Sequence, residues 1–201
     1  TWSTRANYIL SDTSRLASWA VIAAAFAAPL VEATGATGAM LSIVSPESGT
    51  GKTTAMRVSQ SVWSHPKSGM NSLNDTSNAL THKLGTLNSL PLFWDEVQQR
   101  KDAKQFIQLL FRLSQGREKQ RLTQRITQRA TGEWSTLLCV ASNESMLDHI
   151  DRETGSSDAG SARVLEVRAH PLGPDELSDA EARHFFAKLT DNYGVAGEAY
   201  A

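Results

Sequence analysis

Apolar positions fall into short unbroken runs that alternate with stretches of helical spacing. The runs AMLSIV (39–44), LPLFW (90–94), WSTLLCVAS (134–142) and ARVLEV (162–167) have the length of buried strands. Between them, TTAMRVSQSVW (53–63) has helical character, Leu80, Leu84 and Leu87 mark one helical face, and DAKQFIQLLFRLSQ (102–115) is amphipathic up to Gly116. SNESMLDHI (142–150) reads as a helix start, and Ser178 with Glu181 forms a capping box for DAEARHFFAKLTDN (179–192). HPKSGMNSLND (65–75) is a turn-rich connection. Strands alternating with helices predict an α/β sandwich around a mostly parallel sheet.

The first 38 residues are expected to be a helical lead-in, with 39–170 as the core and 171–201 as a truncated helical segment. The apolar stretch LASWAVIAAAFAAPLVE (16–32) is too short and too rich in alanine for a comfortable membrane span, and it reaches Pro29. It reads as a buried helix, and no membrane association is expected. A start without Met and an Ala-rich end suggest a domain taken from a longer protein.

Composition narrows the class. The chain has 201 residues, 40% hydrophobic and 20% charged, which fits one globular domain. A net charge of −1 means that any affinity for nucleic acid must come from a local patch. The lone Cys139 lies in an apolar run, which excludes a disulfide framework and suits a reducing cytoplasm. The five histidines show no metal-ligand spacing, and no nucleophile-elbow pattern supports a hydrolase triad.

The stretch SPESGTGKTT (45–54) carries the chemistry. It meets the phosphate-loop pattern at Gly51, Lys52 and Thr53, but Pro46 stands where the first glycine is usual. Phosphate-binding N–H groups come mainly from the later loop and the first helical turn, so a proline at the loop's entrance is tolerable. The expected nucleotide contacts are Ser48, Gly49, Thr50, Gly51, Lys52, Thr53 and Thr54. Lys52 reaches the β- and γ-phosphates, and the Thr53 hydroxyl ligates Mg²⁺. The bland alternative is a Gly/Ser turn before a helix.

Two further strand ends bear on catalysis. LPLFWDEV places Asp95 and Glu96 after an apolar strand, where Asp95 can hold Mg²⁺ and Glu96 can polarise an attacking water. The other reading is the solvated start of a loop. Asn143, just beyond the Cys139 strand, either senses the γ-phosphate or caps the next helix.

Phosphate loop, Asp-Glu strand and Asn-ended strand, in that order, resemble the additional-strand ATPases of the AAA+ class and the superfamily-three helicases within it. SGTGKTTAMRVSQSVW, TSNAL, LPLFWDEV, GREKQR, the Trp134 strand and NYGVAGEAY further resemble an ATPase domain of phage and plasmid replication proteins, long catalogued as helicase-like with unknown function. The likeness runs from about Ser45 to the end. It implies an AAA+-like phosphate-loop NTPase fold and an ATP-driven motor on single-stranded or forked DNA. It further implies a homo-oligomeric ring, a hexamer, often joined to a primase.

REKQRLTQRITQRATGEW (117–134) repeats arginine every four residues at Arg121, Arg125 and Arg129. On a strand or a helix this segregates arginine from Leu122, Ile126 and Ala130; the threonines favour a β-hairpin. With Lys119 they form a strip suited to a phosphate backbone, or a solvated edge strand. In the resembling helicases a hairpin at this place lines the pore. Trp134 reads as a core anchor.

Ring ATPases set an arginine from one subunit against the γ-phosphate of the next. Arg163, at a loop-to-strand junction where the resembling helicases carry an arginine, is the expected trans residue. Arg152 is the alternative and Arg168 a further candidate, and any of the three could instead form a surface ion pair. The competing functional readings are an AAA+ switch that remodels or loads a protein partner, a phosphate-loop kinase, and a nucleotide-holding structural module.

Overall fold

Strand residues point alternately into two separate apolar clusters, which makes the sheet the middle of three layers. Met40, Leu92, Trp94, Leu138, Val140 and Val164 belong to one cluster; Leu41, Ile43, Phe93, Cys139 and Ala141 belong to the other. That alternation follows from the period of two along a strand. Both faces must be covered, so the strands read as unbroken apolar runs.

The computed structural model describes residues 1–71, 77–97, 100–118, 132–155, 162–171 and 177–201. Four strands, β1 (Gly38–Val44), β2 (Leu92–Val97), β3 (Thr136–Ser142) and β4 (Val164–Arg168), pair in the order β2-β3-β1-β4. Every pairing is parallel. Val44 lies opposite Ser142 on one side and Arg168 on the other, so the strands end together at one edge. Asn71 adds an isolated parallel bridge to Trp94 beyond β2.

Helices α1 (Trp2–Leu10), α2 (Leu16–Ala27) and α3 (Lys52–Gln60) lie on one side. Helices α4 (Ser77–Leu87), α5 (Arg100–Leu113) and α6 (Met146–Thr154) lie on the other, with Leu80, Leu84, Leu109, Leu110, Leu113 and Ile150 in its cluster. The stretch Thr13–Leu30 has the length and hydropathy of a membrane span. Its helix α2 nevertheless packs in the protein core, burying Ala17, Val21, Ala24 and Ala25 against β1 and β3 residues and Met56 of α3. Near the end of the chain, α7 (Asp179–Ala187) and α8 (Val195–Tyr200) return to the α1 side. There Ala6, Ile9, Ile22, Val58 and Leu189 form a third cluster.

Several local expectations are met by specific contacts. Ser178 and Glu181 form the reciprocal capping box of α7. Helix α5 stops before Gly116, whose φ of 69° lies in the left-handed region. Trp134 is a core anchor, 3% exposed, and its indole N–H donates to the Leu113 carbonyl. Cys139 is fully buried, and burial pushes its thiol pKa up to about 12.

Candidate functional site

Seven residues, Ser45 to Gly51, turn the chain from β1 into α3. Gly49 and Gly51 have φ of 74° and 76°, a conformation that costs other residues roughly 1–2 kcal/mol. Gly51 occupies the cap position of α3 without a side chain to satisfy the helix end. Its carbonyl accepts from the Ala55 amide, the first bond of the helix. The amides of Lys52, Thr53 and Thr54 therefore belong to a first turn that has no intrahelical acceptors. Together with the helix dipole they make this end receptive to an anion.

Lys52 explains how Pro46 is accommodated. Its Nζ donates to the carbonyls of Ser45 at 2.9 Å and Glu47 at 3.1 Å, the residues flanking the proline, and to Thr50 Oγ1 at 3.3 Å. The loop is held by an ammonium group that touches both sides of Pro46, and the missing N–H lies at the entrance. The Ser45 amide donates to the Ser142 carbonyl, tying the loop's first residue to the end of β3. Burial lowers the Lys52 pKa from its usual value, and the charge of Asp95 works in the opposite direction.

Asp95 approaches the loop from a strand that is not a neighbour of β1. Trp94 pairs with Val140 and Val97 with Ser142, so β2 advances three residues while β3 advances two. Asp95 and Glu96 sit in this irregularity, and such bulges re-aim side chains. The Thr53 hydroxyl donates to Asp95 Oδ1 at 3.2 Å. The Glu96 backbone lies in β2, but its side chain falls outside the described ones.

Asn143 is exposed immediately after β3, at the same sheet edge as the loop. It is not the helix cap. Ser145 caps α6, its hydroxyl accepting from the Asp148 amide at 3.1 Å. The turn is fixed on either side of Asn143: Ser142 Oγ donates to the Glu144 carbonyl at 2.7 Å and accepts from the Glu144 amide at 3.2 Å.

Arg163 stands elsewhere. Its carbonyl accepts from the Met40 amide, and its guanidinium lies 5.7 Å from the centre of the Phe111 ring. From Met40 to the end of β1 is about 13 Å at ~3.3 Å per residue, so Arg163 is remote from its own chain's loop. Arg152 is exposed in the last turn of α6. Lys119, Arg121, Arg125 and Arg129 lie outside the described residues. The flanks of that segment pair antiparallel through Arg117 and Glu133, with the Glu118 amide donating to the Gly132 carbonyl at 2.9 Å.

Part of the site has no motif. A cavity of about 50 Å³ adjoins the loop, lined by Gly51 and Thr54 together with Tyr8, Arg15, Ser18 and Phe186. The Arg15 guanidinium sits 4.5 Å from the centre of the Tyr8 ring, and its Nη1 donates to the Tyr8 carbonyl. These residues come from both ends of the chain, and only the fold brings them to the loop. A larger hollow of about 480 Å³ is lined by Arg5, His184 and Lys188 among others, with no residue from the loop, β2 or β3. Among the described residues no group of three His, Cys, Asp or Glu side chains is placed to hold a metal.

Residues 2–132 match the model of a family described as a domain of unknown function, DUF927. No curated protein matches the chain. Among solved structures, SCCmec type IV Cch, described as an active helicase, is similar over 91% of this chain with a TM-score of 0.63 and 22% identity. The likeness is one of fold, and this chain spans 33% of that one.

Proposed function

The chain belongs to the DUF927 family, and we propose that it is the ATP-hydrolysing motor domain of a DNA helicase or translocase serving the replication of a phage, plasmid or other mobile element. The observation that carries the reading is the contact of Thr53 with Asp95, made beside Lys52 at the open end of a parallel sheet. Ligands of open α/β sheets sit at this edge. A strand between the loop strand and the Asp-Glu strand is the order that an additional-strand ATPase of the AAA+ class requires. The helicase fold of the solved neighbour agrees with it.

In this reading the amides from Ser48 to Thr54 wrap the phosphates. Lys52 exchanges its loop acceptors for β- and γ-phosphate oxygens. A hydroxyl and a carboxylate are the hard oxygen donors that Mg²⁺ takes, so Thr53 and Asp95 would hold it. Bound there, Mg²⁺ neutralises charge on the phosphates. Glu96 polarises the attacking water, Asn143 orients it, and Arg163 reaches the γ-phosphate of a neighbouring subunit in a ring, a hexamer. Lys119, Arg121, Arg125 and Arg129 contact the DNA backbone. The nucleotide base faces the cavity between Tyr8, Arg15 and Phe186. At about 50 Å³ that cavity is far below the ~300–1,000 Å³ of a ligand pocket, so a base would enter it only if the side chains lining it gave way.

ATP hydrolysis measured over a range of protein concentrations, with and without single-stranded DNA, tests the proposal. Activity per subunit should rise with both. A rate indifferent to concentration and DNA would refute the shared-site DNA motor.

A further inference from the structure

We infer that Glu166 is a positioning residue for nucleotide turnover, acting through the turn that carries Asn143; the inference rests on the role proposed above for Asn143. Glu166 lies on β4, two strands away from β3, and has no place in any nucleotide-binding motif. Its Oε2 accepts from the amide of Met146, the first residue of α6, at 2.7 Å. That amide is one of the unsatisfied donors of a helix start. A carboxylate there also meets the positive end of the helix dipole.

The consequence lies in what the bond fixes. Asn143 opens a three-residue connection, Asn143 to Ser145, between β3 and α6. One end is held by the pairing of Ser142 with Val44 and by the Ser45 amide on the Ser142 carbonyl. Glu166 holds the other end, and His149 Nε2 lies 3.1 Å from Glu144 Oε2 beside it. With both ends pinned, the exposed Asn143 has a fixed position relative to the phosphate loop. Ser42 leaves space for this reach. It is the β1 residue paired with Glu166 and is fully buried. Its side chain faces the same side of the sheet as Glu166, because Met40 and Val164, two pairs earlier in the register, share a cluster.

The experiment compares E166A and E166Q with the parent chain in ATP turnover and in amide exchange across residues 143–147. Gln keeps an acceptor for the Met146 amide and loses only the charge. E166A should lower kcat about tenfold while KM stays within about twofold, since small misplacement of an orienting group costs rate rather than binding. E166Q should restore kcat to within about threefold of the parent. Exchange at 143–147 should quicken about fivefold or more in E166A, with β1 and β3 unchanged. Unchanged exchange in E166A overturns the inference even if the parent hydrolyses nothing, an outcome that would instead sink the motor reading. Unchanged kcat in E166A, or a parallel loss that E166Q does not rescue, overturns it as well.

Discussion

The Thr53 hydroxyl donates to Asp95 Oδ1 across 3.2 Å, joining residues 42 positions apart, one on α3 and the other on β2, the strand that β3 separates from β1. The contact needs three things at once: a helix that starts at Lys52, a bulge that turns Asp95 toward it, and an intervening strand of matching length. Each has a physical cause, in the glycines of the loop, the extra residue in β2 and the full β1–β3 register.

In the proposed nucleotide site, Lys52 should give binding a pH dependence. Phosphate would bind the protonated ammonium, whose pKa in the free protein lies below that of an ordinary lysine because of burial. Nucleotide phosphates favour the charged form and raise that pKa in the complex. ATP affinity is therefore full below the free-protein pKa and falls as pH rises through it, earlier than for an unperturbed lysine. Titrating ATP between pH 7 and about pH 10 should show weakening at the alkaline end, absent in K52A, which should bind roughly tenfold more weakly near pH 7 and approach the parent at the alkaline end.

The two glycines at the base of the basic segment are a packing joint. A Cβ on Gly85, inside α4, would lie 2.9 Å from the Gly132 Cα, and one on Gly132 would lie 2.7 Å from the Gly85 Cα. Alanine normally stabilises a helix interior by ~1 kcal/mol over glycine. Here backbone faces backbone, and overpacking costs about 1–3 kcal/mol. Thermal unfolding should show that G85A and G132A each lower Tm; a raised Tm in G85A would show that the contact is not tight.

Much of this fold was legible in the pattern of apolar positions, and the exceptions share a cause. The four strands, the stop of α5 at Gly116 and the Ser178–Glu181 cap depend on residues near in sequence. Helix α1 does not. It is held by Arg5, whose Nε donates to the carbonyl of Phe185, and by Trp2, whose indole donates to the Val58 carbonyl. The cavity beside Gly51 is equally non-local, built from Tyr8, Arg15 and Phe186. At the end of β3 the motif S-N-E-S offered several capping residues, and only the position of the α6 start selected Ser145 over Asn143. Placing Arg163 over Phe111 likewise depends on the sheet order. Glu96, Lys119, Arg121, Arg125 and Arg129 remain expectations of sequence.

Replacing Arg121, Arg125 and Arg129 together should abolish stimulation of ATPase by single-stranded DNA and leave basal turnover within about twofold. Backbone contacts add affinity that salt screens, so binding by the parent should fall steeply with salt. Loss of basal turnover in the triple variant would assign the segment to the fold or to the subunit interface.

The most direct test of the central claim is steady-state ATP turnover by D95N, with Mg²⁺ present, beside the parent chain under conditions where the parent is active. Asn keeps an oxygen for the Thr53 hydroxyl and removes the charge that Mg²⁺ needs. The account predicts that D95N retains the fold and loses turnover by about a hundredfold or more, the scale of removing one electrostatic partner of the reaction. Turnover within twofold of the parent would contradict it, because Asp95 would then stand beside the phosphate loop without serving it.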